Sequence, residues 1–429
     1  MLSFLREIFP DTHPIRLFYH KVAAFIAALI NLFPGSKMII IGVTGTNGKT
    51  TTVNLLANIL TSAGYKIGMT STINFQIGGE KWTNTTKQST MSPFKLQSLL
   101  KQMLKEGCRY VILEVTSHAI TQSRVLGINF DMAVITNVTG DHIEYHGNFN
   151  NYLSEKGKLF QKVSRGVRKL GVPKVLVLNA DDKYYTYFNQ FVADRKITYS
   201  LSYATVYAEN IEKGPEGSKF IMHVPNEAID VKINLPGEFN VYNAMAAACA
   251  AIALQIPLAV VKKGLEEINV IPGRYEHVDV GQKFSVIVDY AHTPDALESL
   301  FALYRTLTPG KLFAVFGATG GGRDKSKRPK MGESVNEYAD FVIVTNDDPY
   351  TEDEWNIIEQ VSNGIPRKEG QNFWKIPDRR EAIRLSLTLA KEGDCVVVAG
   401  KGAEEIIILK TGRIPWNDKK VITELLERE

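Results

Sequence analysis

MIIIGVTGTNGKTT, residues 38–51, decides the fold. It opens as a nearly unbroken apolar run, the pattern of a strand buried on both faces of a sheet. A turn carrying Gly45 and Gly48 follows, and a helical stretch, 50–63, comes after it. Strand, glycine turn and helix in that order make a phosphate-binding loop. The glycines let the backbone turn tightly, so the N–H groups of Gly45, Thr46, Asn47 and Gly48 can converge on one anion. The positive end of the helix, from Thr50 and Thr51 onward, adds to them. Lys49 would neutralise the β- and γ-phosphates of a nucleotide, and the Thr50 hydroxyl would hold Mg²⁺. The strict G-x-x-x-x-G-K-[ST] spacing is not met, because Val43 occupies the first glycine position.

Working outward, further strand candidates lie at 110–115, 132–137, 174–179, 284–289, 311–317, 341–346 and 394–400. Helical stretches at 93–106, 242–254 and 293–307 alternate with them, the rhythm of βαβ units. The stretch 197–233 is weakly patterned and reads as antiparallel strands at the edge of the first domain. NVIPG (269–273) closes a helical stretch before the rhythm restarts. The expected architecture is α/β: an N-terminal apolar helix segment (1–37), a central P-loop domain with a parallel sheet flanked by helices (38–272), and a Rossmann-like α/β C-terminal domain (273–429). Thr46 to Thr50, Glu114, His142, Asp289, Arg323, Asp347 and Gly400 all fall just past strand ends. Ligands of open parallel sheets bind at that edge, and two such edges would make an interdomain cleft.

With 429 residues, 44% hydrophobic and 22% charged, the chain is long enough for several domains and is neither disordered nor fibrous. Lys+Arg 50 against Asp+Glu 46 leaves a net charge of +4, too little to argue for nucleic acid as a partner. Cys108, Cys249 and Cys395 are scattered, which speaks against a disulfide scaffold or structural zinc and for a reducing cytoplasm. The apolar run VAAFIAALI (22–30) is too short to span a bilayer and lacks a signal-peptide cleavage site. Arg16, His20, Ala27 and Asn31 form one narrow stripe on an otherwise apolar helix. Packing on its own domain is the first expectation, lying on the inner face of a membrane the second.

The loop GTNGKT continues in LEVTSHAITQSR (113–124), TNVTGDHIEYHG (136–147), NYLSEKGKLF (151–160), GEFNVYNAMAA (237–247), PGRYE (272–276), DYAHTPDAL (289–297), GGRDKSKRPKMG (321–332), TNDDPYTED (345–353) and AGKGAEE (399–405). In that order, these segments resemble the Mur ligase superfamily, ATP-dependent ligases that form amide bonds. Within it they are most similar to the muramoyl-tripeptide synthetase (MurE-type) branch of peptidoglycan synthesis. Glu114, by its own chemistry, is a buried carboxylate needing a cation or a partner; a salt bridge or a Mg²⁺ ligand would each satisfy it. His142 alone reads as a satisfied histidine, and Lys156 alone as a solvated lysine. The resemblance makes His142 a ligand of a second Mg²⁺. It also makes Lys156, in the tyrosine-x-x-x-lysine frame from Tyr152, a carbamate formed with carbon dioxide. That reaction needs the neutral amine, so the ordinary pKa of about 10.4 must fall.

The same resemblance places Asn240, Asn243, Arg274 and Asp289 at ATP, though Asn240 also suits a helix cap. It implies Thr85, Thr86, Thr116, Gln122 and Arg124 at a muramoyl-peptide substrate. Arg323, Asp347, Asp348, Gly400 and Glu404 would lie at the incoming amino acid. Two departures stand out. Members that add diaminopimelate carry Asp-Asn-Pro-Arg, whose arginine grips the distal carboxylate. Asp347-Asp348-Pro349-Tyr350 stands here, which favours a lysine-like amino acid. Only 37 residues precede Met38, too few for the branch's uridine-nucleotide domain. The substrate would then be held by its sugar and peptide, or be membrane-anchored. The expected reaction runs through an acyl phosphate in a monomer, catalysed by Lys49, Glu114, His142 and Lys156. A folylpolyglutamate- or cyanophycin-type ligase, an amidotransferase subunit acting on lipid-linked peptidoglycan, and a catalytically dead binding module are the other readings.

Overall fold

The computed structural model describes residues 12–141 and 143–427, which divide into two compact units between Asn269 and Val270. The first holds an 11-stranded sheet in the order β11-β10-β9-β8-β7-β6-β1-β5-β2-β3-β4. Its strands are β1 (Ile39–Thr44), β2 (Ile67–Thr70), β3 (Asn74–Ile77), β4 (Glu80–Thr83), β5 (Tyr110–Glu114), β6 (Met132–Ile135), β7 (Val175–Asn179), β8 (Arg195–Ser200), β9 (Val206–Gly214), β10 (Gly217–Val224) and β11 (Glu227–Ile233). From β2 to β9 every pairing is parallel. Both flanks turn antiparallel, through β3 and β4 on one side and β10 and β11 on the other.

The centre is parallel because its strands are apolar on both faces. β5, β6 and β7 are buried along their whole length, so helices must cover both sides. On one side helix Lys49–Ser62 packs against Glu238–Ala253, an alanine-rich helix buried around most of its circumference. On the other, helix Phe149–Arg165 buries Leu153, Leu159, Phe160 and Val163. The β3 and β4 hairpin escapes the sequence pattern because all four residues of β4 are exposed.

The second unit has a six-stranded sheet, β12-β13-β17-β14-β15-β16. Its strands are β12 (Glu276–His277), β13 (Ser285–Asp289), β14 (Leu312–Phe316), β15 (Phe341–Val344), β16 (Phe373–Lys375) and β17 (Cys395–Ala399). All pair in parallel except the edge strand β12. A separate hairpin joins β18 (Ile406–Leu409) to β19 (Gly412–Pro415).

The amino-terminal segment forms helix Pro14–Ile30, which packs on helix Pro93–Lys105. Packing on its own domain is thus observed, but with its faces reversed from the simple expectation. Arg16, Ala24, Ala27 and Ala28 are buried, while much of the apolar circumference is exposed. Small side chains allow the close approach: a Cβ at Gly127 would lie 2.4 Å from that of Ala28.

Candidate active site

β1 ends at Thr44, and the chain turns through Gly45 and Gly48 into helix Lys49–Ser62. Gly48 has φ +82°, and a Cβ there would fall 2.1 Å from Asn243 Oδ1. Gly45 is as tightly placed, 1.9 Å from Thr136 Oγ1 by the same construction. Glycine is therefore required by conformation and by space at both turns. The neighbouring strand end braces the loop. Asn137 Oδ1 accepts from Asn47 N–H at 2.9 Å, and Thr136 Oγ1 donates to the Asn47 carbonyl at 2.6 Å. Thr46 N–H donates to the Asn137 carbonyl at 2.8 Å. Thr51, in the first helical turn, is buried.

Glu114, at the end of β5, lies beside this loop and is 1% exposed. No lysine or arginine among the described residues forms an ion pair with it. Its carboxylate accepts instead from Thr50 Oγ1 (2.9 Å), Thr72 N–H (2.8 Å) and Thr72 Oγ1 (2.7 Å). A buried carboxylate and a threonine hydroxyl side by side are hard oxygen donors, the chemistry Mg²⁺ prefers. The Thr139 N–H donates to Thr46 Oγ1, and Thr139 Oγ1 is buried without a hydrogen-bond partner among the described residues. The donor set thus fits a nucleotide-bound divalent ion. His142 lies outside the described residues.

Lys156 is not a solvated lysine. It is 1% exposed, and its Nζ donates to the Gly45 carbonyl at 2.6 Å. The same nitrogen lies 4.4 Å from the centre of the Tyr152 ring, and the Tyr152 hydroxyl shares a 2.9 Å hydrogen bond with Thr46 Oγ1. Burial, helped by the charge of Lys49, pushes the amine well below the ordinary lysine range, against the opposing pull of Asp141. The neutral form that carbamate chemistry needs is therefore favoured. Lys49 itself donates to the Thr46 carbonyl at 2.6 Å.

Asn243 sits under the loop as well: Thr52 Oγ1 reaches its Oδ1 at 3.5 Å. Asn243 Nδ2 donates to Asn240 Oδ1 at 3.0 Å. Asn240 is not the cap residue, which is Gly237; its amide donates to the Pro236 carbonyl at 2.8 Å.

A hydrogen-bond chain leads away from Glu114 through Thr90 and Tyr145, which the sequence did not single out, and through Thr116, Gln122 and Arg124, which it did. Thr90 Oγ1 donates to the Glu114 carbonyl, and Thr116 N–H donates to Thr90 Oγ1. Arg124 Nη1 donates to the Thr90 carbonyl at 2.7 Å and Nη2 to Gln122 Oε1 at 2.7 Å. Gln122 Nε2 in turn donates to the Tyr145 hydroxyl at 3.0 Å. Thr116, Gln122 and Arg124 thus share one network with Glu114. Thr85 is exposed, while Thr86 reaches the network at one remove: its Oγ1 donates to Asn84 Oδ1 at 2.6 Å, and Asn84 Nδ2 donates to the Thr72 carbonyl at 3.1 Å. Thr72, hydrogen-bonded to Ser89 at 2.6 Å, and Thr90 stand nearer to Glu114 in the same network. The segment STMSP (89–93) was the available signal.

In the second unit, Asp289 ends β13 and accepts from the N–H groups of Tyr275 (2.9 Å) and Ala291 (2.7 Å). Burial raises its carboxyl pKa while Arg274 and these donors oppose the rise. The Arg274 guanidinium lies 4.8 Å from the centre of the Tyr290 ring. Arg323 is exposed in the glycine-rich loop after β14. Asp347, Asp348 and Glu404 converge on Lys401, which was not among the expected residues. Its Nζ donates to Asp347 Oδ1 (3.3 Å), Asp348 Oδ1 (3.0 Å) and Glu404 Oε2 (2.8 Å). Burial alone would lower the Lys401 pKa, but the three carboxylates overcome it and hold the ammonium charged. Gly400 approaches closely too: a Cβ there would be 3.2 Å from Asp347 Oδ2.

Comparison with known proteins agrees with this geometry. Residues 43–251 match the Mur ligase middle domain, and residues 273–402 match the Mur ligase, glutamate ligase domain. The chain is 40% identical over 404 residues to a UDP-N-acetylmuramyl-tripeptide synthetase of Roseiflexus sp. (strain RS-1), covering 92% of this chain and 79% of the relative. It is also 40% identical over 391 residues to the UDP-N-acetylmuramoyl-L-alanyl-D-glutamate–2,6-diaminopimelate ligase of Geobacillus thermodenitrificans (strain NG80-2), covering 90% and 78%. A solved structure of a ligase of that second description superposes with a TM-score of 0.61 at 32% identity, over 91% of this chain and 78% of the other. The folylpolyglutamate synthase of Mycobacterium tuberculosis gives a TM-score of 0.72 over 88% and 92%, but at 18% identity it shares the fold alone. Loop, strand-end carboxylate, buried lysine and both domain matches lead to one conclusion: the chain belongs to the Mur ligase family.

Proposed function

We propose that this protein is an ATP-dependent ligase that adds an amino acid to a muramoyl-dipeptide precursor of peptidoglycan. One observation carries the reading: Glu114, Thr50 and the buried amine of Lys156 converge on a tight glycine loop at a helix N-terminus, the arrangement that cradles a phosphate chain. A substrate carboxylate oxygen attacks the γ-phosphorus of ATP, the bond to the ADP oxygen breaks, and an acyl phosphate results. Lys49 and the loop N–H groups stabilise the charge on the transferring group. The free amine of the incoming amino acid then attacks the acyl carbon. Loss of phosphate and of the amine proton leaves the amide. Mg²⁺, held by Thr50, Glu114, the Lys156 carbamate and His142, would supply positive charge at the phosphoryl oxygens. Thr116, Gln122 and Arg124 are proposed to orient the muramoyl peptide, and Asn240, Asn243, Arg274 and Asp289 to hold ATP. Thr85 and Thr86 are proposed to contact the same substrate, with Thr72 and Thr90 beside them.

Tyr350 stands where an arginine would grip a distal carboxylate, and Asp347, Asp348 and Glu404 cluster beside it, which favours an amino acid whose far end carries an amine and no carboxylate, lysine or a basic analogue, over diaminopimelate. Arg323 and Gly400 would complete that pocket. We place the enzyme in the cytoplasm, as a monomer at the inner face of the membrane. Purified protein offered UDP-linked and lipid-linked muramoyl dipeptides with a panel of amino acids tests this by product mass. Lysine should turn over faster than diaminopimelate, and the reverse order would reject the specificity. Absence of product with every pairing would reject the ligase.

A further inference from the structure

Helix Pro14–Ile30 turns its apolar side outward. Phe18, Val22, Phe25, Ile26, Leu29 and Ile30 are all exposed, Phe18 at 69%, and Leu32 beyond the helix is 76% exposed. Lys21 is exposed on the same helix. A solvated helix does the reverse, burying its apolar stripe. Seventeen residues are too few to cross a bilayer, and no helix among the described residues is long and apolar enough to do so.

The surface does not end with the helix. Phe25 meets Phe33 edge to face at 6.4 Å, and Phe33 lines a groove of about 780 Å³ at the carboxyl end of helix Phe149–Arg165. Lys162, Arg165, Arg168 and Lys169 line it, and no carboxylate does. Asp194 pairs with Arg168, and Asp131 with Lys169, from outside the lining. Lys162 and Arg165 form no ion pair among the described residues. Exposed Val167 and Leu170 stand at the rim. An apolar ridge continuous with a cationic groove matches one surface: acyl chains under anionic headgroups.

We propose that this face docks on an anionic lipid bilayer, the helix lying in the interface while Lys162 and Arg165 take lipid phosphates in the groove. The inference deepens the membrane-face placement above and rests on it, not on the ligase chemistry. Full-length protein should co-sediment with vesicles containing phosphatidylglycerol at least tenfold more than with pure phosphatidylcholine vesicles. The excess should fall as salt rises. Phe18→Ser/Leu29→Ser/Ile30→Ser should abolish binding to both vesicle types. Lys162→Gln/Arg165→Gln should remove only the preference for the anionic ones. Both variants should keep wild-type turnover of a soluble muramoyl dipeptide, so failure of membrane docking and failure of the ligase reading are separable. No vesicle binding by the wild type, or binding unchanged in the triple-serine variant, would overturn the proposal. So would a dimer in solution that the triple-serine variant dissociates, since a second copy would then cover the face.

Discussion

At the scale of single residues, Lys156 is the most informative side chain. Burial beside Lys49 pushes its amine well below the ordinary lysine range before any family likeness is invoked. Lys156→Ala should fold and lose on the order of 10²-fold or more in kcat. ¹³C-bicarbonate should give a carbamate resonance in the wild type that the variant lacks. The pH dependence has a definite sign. The folded-state pKa is lowered, so between it and the ordinary lysine value the unfolded chain binds the extra proton, and stability rises with pH across that window. Urea melts in carbon-dioxide-free buffer should show this slope reduced in Lys156→Met. Lys401 predicts a different loss. Removing its ammonium with Lys401→Met leaves Asp347, Asp348 and Glu404 facing one another, at a cost of about 3–5 kcal/mol in chemical denaturation. Gly48→Ala should cost about 1–3 kcal/mol from its positive φ and the clash with Asn243, and ATP affinity measured by calorimetry should fall with it.

At the scale of elements, the strand ends act as a set because buried groups tie them together. In the second unit Arg379 donates to Asp418 through Nε (2.8 Å) and Nη2 (2.7 Å), and to the carbonyls of Asn346 and Ala399. One guanidinium thus braces the ends of β15 and β17, from which Asp347 and Gly400 project. Arg379→Met should destabilise this unit by about 3–5 kcal/mol. Arg379→Met/Asp418→Leu should recover much of that loss in thermal melts, since no unpaired charge remains. The central parallel strands were legible because burial on both faces leaves an unbroken apolar run. The phosphate loop was legible because its glycines have no substitute. The outer strands β3 and β4 were not: β3 buries the polar Asn74 and Gln76, and every residue of β4 is exposed, so neither carries such a run. Thr72 and Lys401 were invisible, and Thr90 was marked only by its segment STMSP, for another reason. Their importance lies in partners 42, 24 and 54 residues away in sequence, which no local pattern records. The amino-terminal helix had the right apolar content, but which side faced inward depended on small residues meeting Gly127.

At the scale of the whole molecule, each unit offers a parallel sheet with its chemistry gathered past the strand ends. The first carries the phosphate loop and the second the charged cluster at Lys401. Under the proposed function the first would cradle the departing phosphate chain, and the second would receive the amino acid that brings the amine. The direct measurement follows the oxygen atoms. Muramoyl dipeptide labelled with ¹⁸O in the reacting carboxylate would be turned over with ATP and the accepted amino acid, and the released inorganic phosphate weighed. The account predicts one ¹⁸O in each phosphate formed alongside each new amide. Unlabelled phosphate accompanying product, or label appearing in AMP, would contradict it.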